Sequence, residues 1–250
     1  MHNLKISLIT VVYNAQSSIK RCIESVLAQN YTNVEYIIID GGSTDGTLQI
    51  IEQYKPYITI FLSETDKGIY DAMNKGIKLA TGDIVGTLNA DDFFADNDVL
   101  NHIVKTFEQN KTDIVYGNLD YIDTKGKIIR KWKSGKYKEG LFNWGWMPPH
   151  PAFYCNRLLF ENIGAYNLQY GTAADYELMS RFIHLNKVST YYLNKTIIKM
   201  SLGGASNKAL VNRCKAWAFD YKVMRKNGVL FPLLAIVLKP FRKIVQYFLK

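Results

Sequence analysis

The sequence predicts an α/β fold, a mostly parallel sheet flanked by helices, followed by a basic, amphipathic C-terminal helical tail. Three observations point there. Short continuous apolar runs alternate with stretches of helical spacing, the pattern of strands buried on both faces by crossover helices. Polar and glycine-rich segments fall at the carboxyl ends of those runs, where ligands of such sheets bind. Charge is concentrated at one end: residues 209–250 hold nine Lys or Arg against the single acid Asp220, so of the net +9 the preceding 208 residues carry only +1.

The elements follow in order. The run 6–12 is short and leads into an amphipathic pattern instead of a cleavage site, so it reads as a first strand and not as a signal peptide. Further strands are expected at 36–39, 58–62, 84–88 and 114–116. Between them, Ile19, Cys22, Ile23, Val26 and Leu27 repeat at helical spacing, as do Ile69, Met73, Ile77 and Ala80, then Leu100, Ile103, Val104 and Phe107. A later helix should bury Leu178, Met179 and Phe182. At 250 residues, 48% hydrophobic and 21% charged, the chain suits one sizeable globular domain with an appendage. The division is drawn between residues 1–208 and 209–250.

Composition excludes several classes. Cys22, Cys155 and Cys214 are odd in number, far apart and without CxxC spacing, so neither a disulfide framework nor a zinc site is expected, and a reducing compartment fits. No run approaches the roughly 18 apolar residues that a spanning helix needs. The tail "VLFPLLAIVLKPFRKIVQYFLK" instead sets aliphatic and aromatic residues beside Lys239, Arg242 and Lys243, as a helix lying in a membrane interface would. Anionic lipid would add about 1 kcal/mol per basic residue near the surface. Packing of this helix on the body or on a second subunit is the alternative; nucleic acid is not expected as a partner, since no nucleic-acid motif accompanies the charge.

Four segments distant in sequence should converge on one rim: "TVVYNA" after the first strand, "DGGSTDGT" after the second, "SETDKG" after the third and "NADD" after the fourth. Gly41, Gly42 and Gly46 match neither a P-loop nor the GxGxxG of dinucleotide sites. The adjacent carboxylates Asp91 and Asp92 end an apolar strand, where they repel each other and resist desolvation unless water or a cation shares the site. A solvated turn that caps the next helix is the competing explanation.

In this order and spacing, "SLITVVYNAQSSIKRCIESVLAQNY", "EYIIIDGGSTDGT", "SETDKGIYDAMNKGIKLATGD" and "LNADDFF" resemble the GT-A glycosyltransferases of family 2, above all bacterial enzymes that build O-antigen, capsule or exopolysaccharide units. The resemblance spans about residues 4–205. It implies a Rossmann-like GT-A fold and an inverting transfer from a nucleotide-diphosphate sugar, usually a UDP-sugar, to a saccharide or lipid-linked saccharide. The enzyme would then be cytoplasmic, peripheral on the inner face of the cell membrane, and attached to anionic lipid through residues 209–250.

The same resemblance implies roles residue by residue. The backbone around Thr10, Val11, Tyr13 and Asn14 would lie against the base, and Asp40 would accept from the uracil N–H, a role suited to an acceptor-only carboxylate. "NADD" occupies the place of the DxD motif, whose carboxylates hold Mg2+ or Mn2+ against the two phosphates. Asp91 is the first choice of metal ligand and Asp92 the second. Asn89 replaces the motif's first Asp and, next to Ala90, is left to bond the ribose or a metal-bound water. Asp66, Lys67, Tyr70, Asp71 and Asn74 would border the sugar and diphosphate, with a solvated lysine and a helix cap as alternatives for Lys67 and Asp71.

"GTAADYELMSRF" would supply the general base, Asp175, which takes the proton of the attacking hydroxyl. Ala174 stands where these enzymes often carry Glu. Trp144, Trp146 and His150 are candidates for acceptor or sugar contacts, core packing being the alternative for the tryptophans. Gly203, Gly204 and Ser206 match a loop that closes over the diphosphate. A sugar nucleotidyltransferase would need a basic glycine-rich loop after the first strand, and a haloacid dehalogenase-type phosphotransferase a nucleophilic DxD there; neither is present. A non-catalytic nucleotide-sugar-binding scaffold is the remaining rival, favoured only by Asn89 and Ala174.

Overall fold

A computed structural model describes residues 4–201 and 211–247 of the chain. The first half alternates as expected: β1 (Ile6–Val12), α1 (Ile19–Leu27), β2 (Val34–Asp40), α2 (Thr47–Gln53), β3 (Ile60–Ser63), α3 (Ile69–Leu79) and β4 (Ile84–Asn89). There follow β5 (Asp92–Phe94), α4 (Val99–Asn110), β6 (Ile114–Ile122), β7 (Ile128–Trp132), β8 (Phe153–Asn156), α5 (Leu158–Asn162), α6 (Ala174–Ser180), β9 (Thr190–Ser201), α7 (Val211–Lys226) and α8 (Pro232–Val245).

One sheet runs β3-β2-β1-β4-β8-β6-β9-β5, with β7 hydrogen-bonded to β6 off this path. β3, β2, β1 and β4 are parallel, while β8 is antiparallel to both β4 and β6. β5, three residues long, turns back from the end of β4 to pair with β9. The carboxyl ends of β1, β2, β3 and β4 thereby share one edge, as the polar segments required. The run at 114–116 extends to nine residues, and the strand expected at 58–62 starts at Ile60 because Lys55–Tyr57 forms a 3-10 turn around Pro56.

Period-two alternation divides β1 between the two faces of the sheet. Ile6, Leu8 and Val12 pack beneath α1 and α4, with Ile19, Cys22, Ile23, Leu100 and Ile103. Ile9 and Val11 pack on the other face with Met73 and Ile77 of α3 and with Leu178, Met179 and Phe182. Leu27 is the exception in the predicted helical stripe, being 39% exposed. At the opposite end of the sheet from the rim, Glu35 closes a network: Ser7 Oγ (2.5 Å), Thr81 N (2.8 Å), Thr81 Oγ1 (2.6 Å) and Lys5 Nζ (2.9 Å) all donate to its carboxylate.

The far side of the 208/209 division is packed on the body. Val223, Met224, Val229, Ala235 and Ile236 belong to the same core cluster as α3 and α6. Asn227 Nδ2 donates to Glu177 O (3.1 Å) and Ser180 Oγ (2.7 Å), and Leu230 N to Asn143 Oδ1 (2.8 Å). Gly145, at φ +71°, lets the chain pass against α8: a Cβ there would lie 2.6 Å from Ala235 O. Among the described residues no helix is long and apolar enough to cross a membrane.

Candidate active site

The rim is built from the strand ends inward. β1 stops at Val12, and Asn14 takes a left-handed conformation (φ 47°) that turns the chain toward the loop after β2. There Asn14 N donates to Ser43 Oγ (2.8 Å) and Thr44 N donates to Asn14 Oδ1 (2.9 Å). Asn14 lines an open depression of about 480 Å3 with Gln16, Ser17 and Asp45. Tyr13 stands 63% exposed beside it. Val11 is a buried sheet residue, and Thr10 points inward, its hydroxyl 3.1 Å from Tyr36 Oη. The backbone of Thr10 and Val11 runs between β2 and β4 up to the rim, where Tyr13 and Asn14 leave the sheet.

Asp40, at the end of β2, lies inside the loop that follows it. It has no exposed surface, and Gly42 N (3.0 Å), Ser43 N (3.0 Å), Ser43 Oγ (2.5 Å) and Ser63 Oγ (2.7 Å) all donate to it. Three of these bonds fall on Oδ2 and one on Oδ1, and together they shape the "DGGS" loop. The carboxylate that reaches the surface of this loop is Asp66, whose Oδ2 lies against Gly41, 2.5 Å from where a Cβ would stand, next to the Tyr13 ring. Asp66 Oδ1 accepts from Gly68 N (2.7 Å), leaving Oδ2 beside the loop.

After β3, the start of α3 carries the next residues. Asp71 accepts from Lys67 N (2.9 Å), which makes it a cap of this helix. The Lys67 side chain is exposed and has no ion pair among the described residues. Asn74 spends its amide on Tyr166, donating to its carbonyl and accepting from its N–H at 2.9 Å each. It positions Tyr166, and so does Arg181, whose guanidinium donates to the carbonyls of Ile163 (2.6 Å), Gly164 (2.8 Å) and Ala165 (2.7 Å) while paired with fully buried Glu177. Nothing in the sequence spacing singled out Glu177, Arg181 or Tyr166.

Asp175, second residue of α6, accepts from Tyr176 N (2.7 Å) and sits against an aromatic wall. Burial raises the Tyr70 phenol well above its ordinary range, and the Asp175 charge raises it further. Tyr70 lies 5.3 Å from Tyr166 and edge-on to His150 at 6.3 Å, centroid to centroid, and His150 Nε2 is 2.6 Å from Tyr166 Oη. Burial lowers the His150 pKa, partly opposed by Asp175, so the imidazole is neutral at physiological pH. His150 is thus buried and neutral, and close enough to Asp175 to feel its charge.

At the end of β4, Asn89 Nδ2 donates to Asp92 Oδ2 (3.1 Å), and the remaining oxygens, Asn89 Oδ1 and Asp92 Oδ1, are buried without hydrogen-bond partners. Asp92 has no exposed surface; burial, then the charge of Asp91, pushes its pKa well up. Asp91 is half-buried and raised by burial, with Arg21 opposing. Ala90 between them is buried. Arg21 stacks over Phe93 at 4.3 Å and donates to Ser201 Oγ (2.5 Å), tying α1 to the corner. Among the described residues no three His, Cys, Asp or Glu side chains gather as a metal cage. Two carboxylates and an amide are a hard oxygen donor set all the same, of the kind that holds Mg2+ or Mn2+ together with substrate phosphates.

The two tryptophans separate. Trp146 is 5% exposed, packed against Tyr137, Tyr116 and Phe142, with Nε1 donating to Ser134 O (2.8 Å); the expectation that it offers a stacking face is corrected by this burial. Trp144 is 48% exposed. Gly203, Gly204 and Ser206 lie outside the described residues.

Residues 7–165 match the model of the family described as glycosyl transferase family 2. The chain belongs to this family. A glycosyltransferase of PGL/p-HBAD biosynthesis from Mycobacterium tuberculosis is 32% identical over 208 residues, covering 80% of this chain and 78% of that protein. Among solved structures, S. aureus TarS 1–349 in complex with UDP-GlcNAc superposes with a TM-score of 0.67 at 19% identity, over 90% of this chain and 66% of that one. The longer TarS chain is covered to 39%. The mannosyltransferase PcManGT of Pyrobaculum calidifontis, in complex with GDP-Man and Mn2+, gives 0.68 at 16% identity over 96% of this chain and 73% of that one. The fold is therefore GT-A.

Proposed function

We propose that the chain is an inverting, metal-dependent glycosyltransferase that moves a sugar from a nucleotide diphosphate, UDP in the first instance, to a saccharide or lipid-linked saccharide at the cytoplasmic membrane face. The observation that carries the reading is the meeting of Asp175 with Tyr70 of α3, the helix that bears Asp71 and follows Lys67. In this reading Asp175 is the base and Lys67 the cation that faces the phosphates. The UDP, UDP-GlcNAc and GDP-Man complexes of the structural neighbours support the donor class.

Tyr13 stacks on the nucleotide base, and Asp66 Oδ2 takes the ring N–H. Lys67 meets a phosphate. Asp91, with the free oxygens of Asn89 and Asp92 behind it, would hold Mg2+ or Mn2+, which when bound stabilises the negative charge that gathers on the diphosphate. The acceptor oxygen forms its bond to the anomeric carbon, the bond from that carbon to the diphosphate oxygen breaks, and the hydroxyl proton passes to Asp175. The neutral His150 and the Tyr166 hydroxyl hold the wall on which the carboxylate rests.

The exposed face of α8 fits a membrane surface. Leu233, Val237, Phe241 and Ile244 are 70%, 55%, 58% and 52% exposed and recur at helical spacing, with Leu230 and Phe231 before them and Arg242 and Lys243 alongside. Incubation with nucleotide sugars, Mn2+ and a lipid-linked saccharide tests the chemistry by release of the nucleotide diphosphate. The expected result is release that Asp175→Asn abolishes; equal release by that variant removes Asp175 as base.

A further inference from the structure

α8 encloses a cleft of about 240 Å3 against the end of β7 and the segment 145–147. Four of its ten lining residues, Lys133, Lys239, Arg242 and Lys243, are cations, and none is acidic. Only one of the four is neutralised: Lys239 donates to both carboxylate oxygens of Asp220, at 2.8 and 3.0 Å. Arg242 spends only Nε, on Trp144 O (2.8 Å), and Lys133 and Lys243 have no ion pair among the described residues. Burial, then the charges of Lys239 and Arg130, lowers the Lys243 pKa, with Asp175 and Asp220 opposing.

A second observation is independent of charge. Gln246, 92% buried by its 8% residual exposure, lines the same cleft, and its Oε1 has no hydrogen-bond partner. A buried acceptor without a donor, in a recess lined by four cations and no acid, suits a ligand that carries both an anionic group and a hydroxyl. The position is also informative. Lys239 Nζ lies 4.2 Å from the centroid of Tyr176, the residue after Asp175, and Lys243 is near enough to Asp175 to feel its charge.

We propose that this cleft is a phosphate subsite on the acceptor side of the catalytic centre, and that it takes the phosphate or diphosphate of a lipid-linked saccharide. Lys243, Lys133 and Arg242 pair with the phosphate oxygens, and Gln246 Oε1 accepts from a hydroxyl of the adjoining sugar. α8 is then shared between two tasks: its apolar face meets the lipid and its basic face draws the acceptor's anionic head toward Asp175. The identity of the acceptor rests on the glycosyltransferase reading, whereas anion binding is measured without turnover.

The test uses the full chain in EDTA and follows tryptophan fluorescence, since Trp132 and Trp146 line the cleft. The probes are farnesyl diphosphate, pyrophosphate and farnesol. The expected result is saturable binding of the two diphosphates and none of farnesol. The double variant Lys133→Ala/Lys243→Ala should weaken that binding tenfold or more, while Lys243→Arg and Asp91→Ala leave it within twofold. Both lysines are exposed residues, so the melting temperature should hold; if the double variant melts early, Lys243→Gln replaces it.

Equal binding by the lysine variants, or loss in Asp91→Ala, overturns the proposal, the latter by assigning the anion to the nucleotide site. Competition by vesicles separates the sources. Phosphatidylglycerol vesicles doped with a polyprenyl diphosphate should displace the probe at far lower lipid concentration than phosphatidylglycerol vesicles without it. Equal displacement by the two assigns the cleft to phospholipid headgroups and overturns the acceptor assignment. Nucleotide release without diphosphate binding sinks this inference alone; diphosphate binding without any affinity for nucleotides sinks the glycosyltransferase reading alone.

Discussion

Asp40 and Asp66 illustrate how neighbouring carboxylates divide their work. Asp40 is held by four donors inside the loop it shapes, whereas Asp66 keeps one oxygen at the Gly41 surface beside Tyr13. Asp66→Asn should therefore weaken UDP binding about tenfold in calorimetry, the usual scale for a lost charged hydrogen bond, while leaving the melting temperature unchanged. Unchanged affinity would return the base contact to another group. Asp175→Asn should lower transfer by roughly 10²- to 10⁴-fold with donor affinity intact, as removal of a general base does. The motifs made these carboxylates legible in the sequence. Which member of each pair faces the ligand, Asp66 or Asp40, Asp91 or Asp92, Trp144 or Trp146, depends on burial and on donors from distant segments, and spacing carries no record of either.

Among the elements, the sheet edge opposite the rim is fixed by Glu35. Burial alone would raise its carboxyl, but the donors on Ser7, Thr81 and Lys5 hold it down at about 2. A depressed carboxylate contributes stability above its unfolded value near 4.5 and loses it as pH falls toward about 2. On the order of 2 kcal/mol is at stake, so Glu35→Gln should melt about 5 °C lower at neutral pH, with the gap narrowing below about pH 4. A gap that stays constant with pH, followed by circular dichroism, would remove the ionised network as its cause. β1, β2 and β4 were legible because both faces of each are buried, which writes a continuous apolar run. β5 and β8 have three and four residues, and β9 runs half-exposed as TYYLNKTIIKMS, so neither length nor alternation announces them.

At the scale of the whole molecule, the tail is both core and surface. Ala235 and Ile236 are buried with the body while Leu233, Val237, Phe241 and Ile244 face outward, so cutting the chain near residue 208 would unfold packing as well as remove a membrane contact. The sequence carried the amphipathic pattern but not the partner of its buried side, which required Gly145 and the loop 141–146 to be brought alongside. The sharper variant is Leu233→Ser/Val237→Ser/Phe241→Ser, which should keep the fold and lose flotation with anionic liposomes; flotation equal to the parent would end the membrane assignment. The central claim is a nucleotide diphosphate held at the rim through a divalent ion on Asp91. Calorimetric titration of UDP with and without Mn2+ tests it most directly. Binding that needs Mn2+ and disappears in Asp91→Ala is the predicted result, and equal binding by both proteins, or none by either, would contradict it.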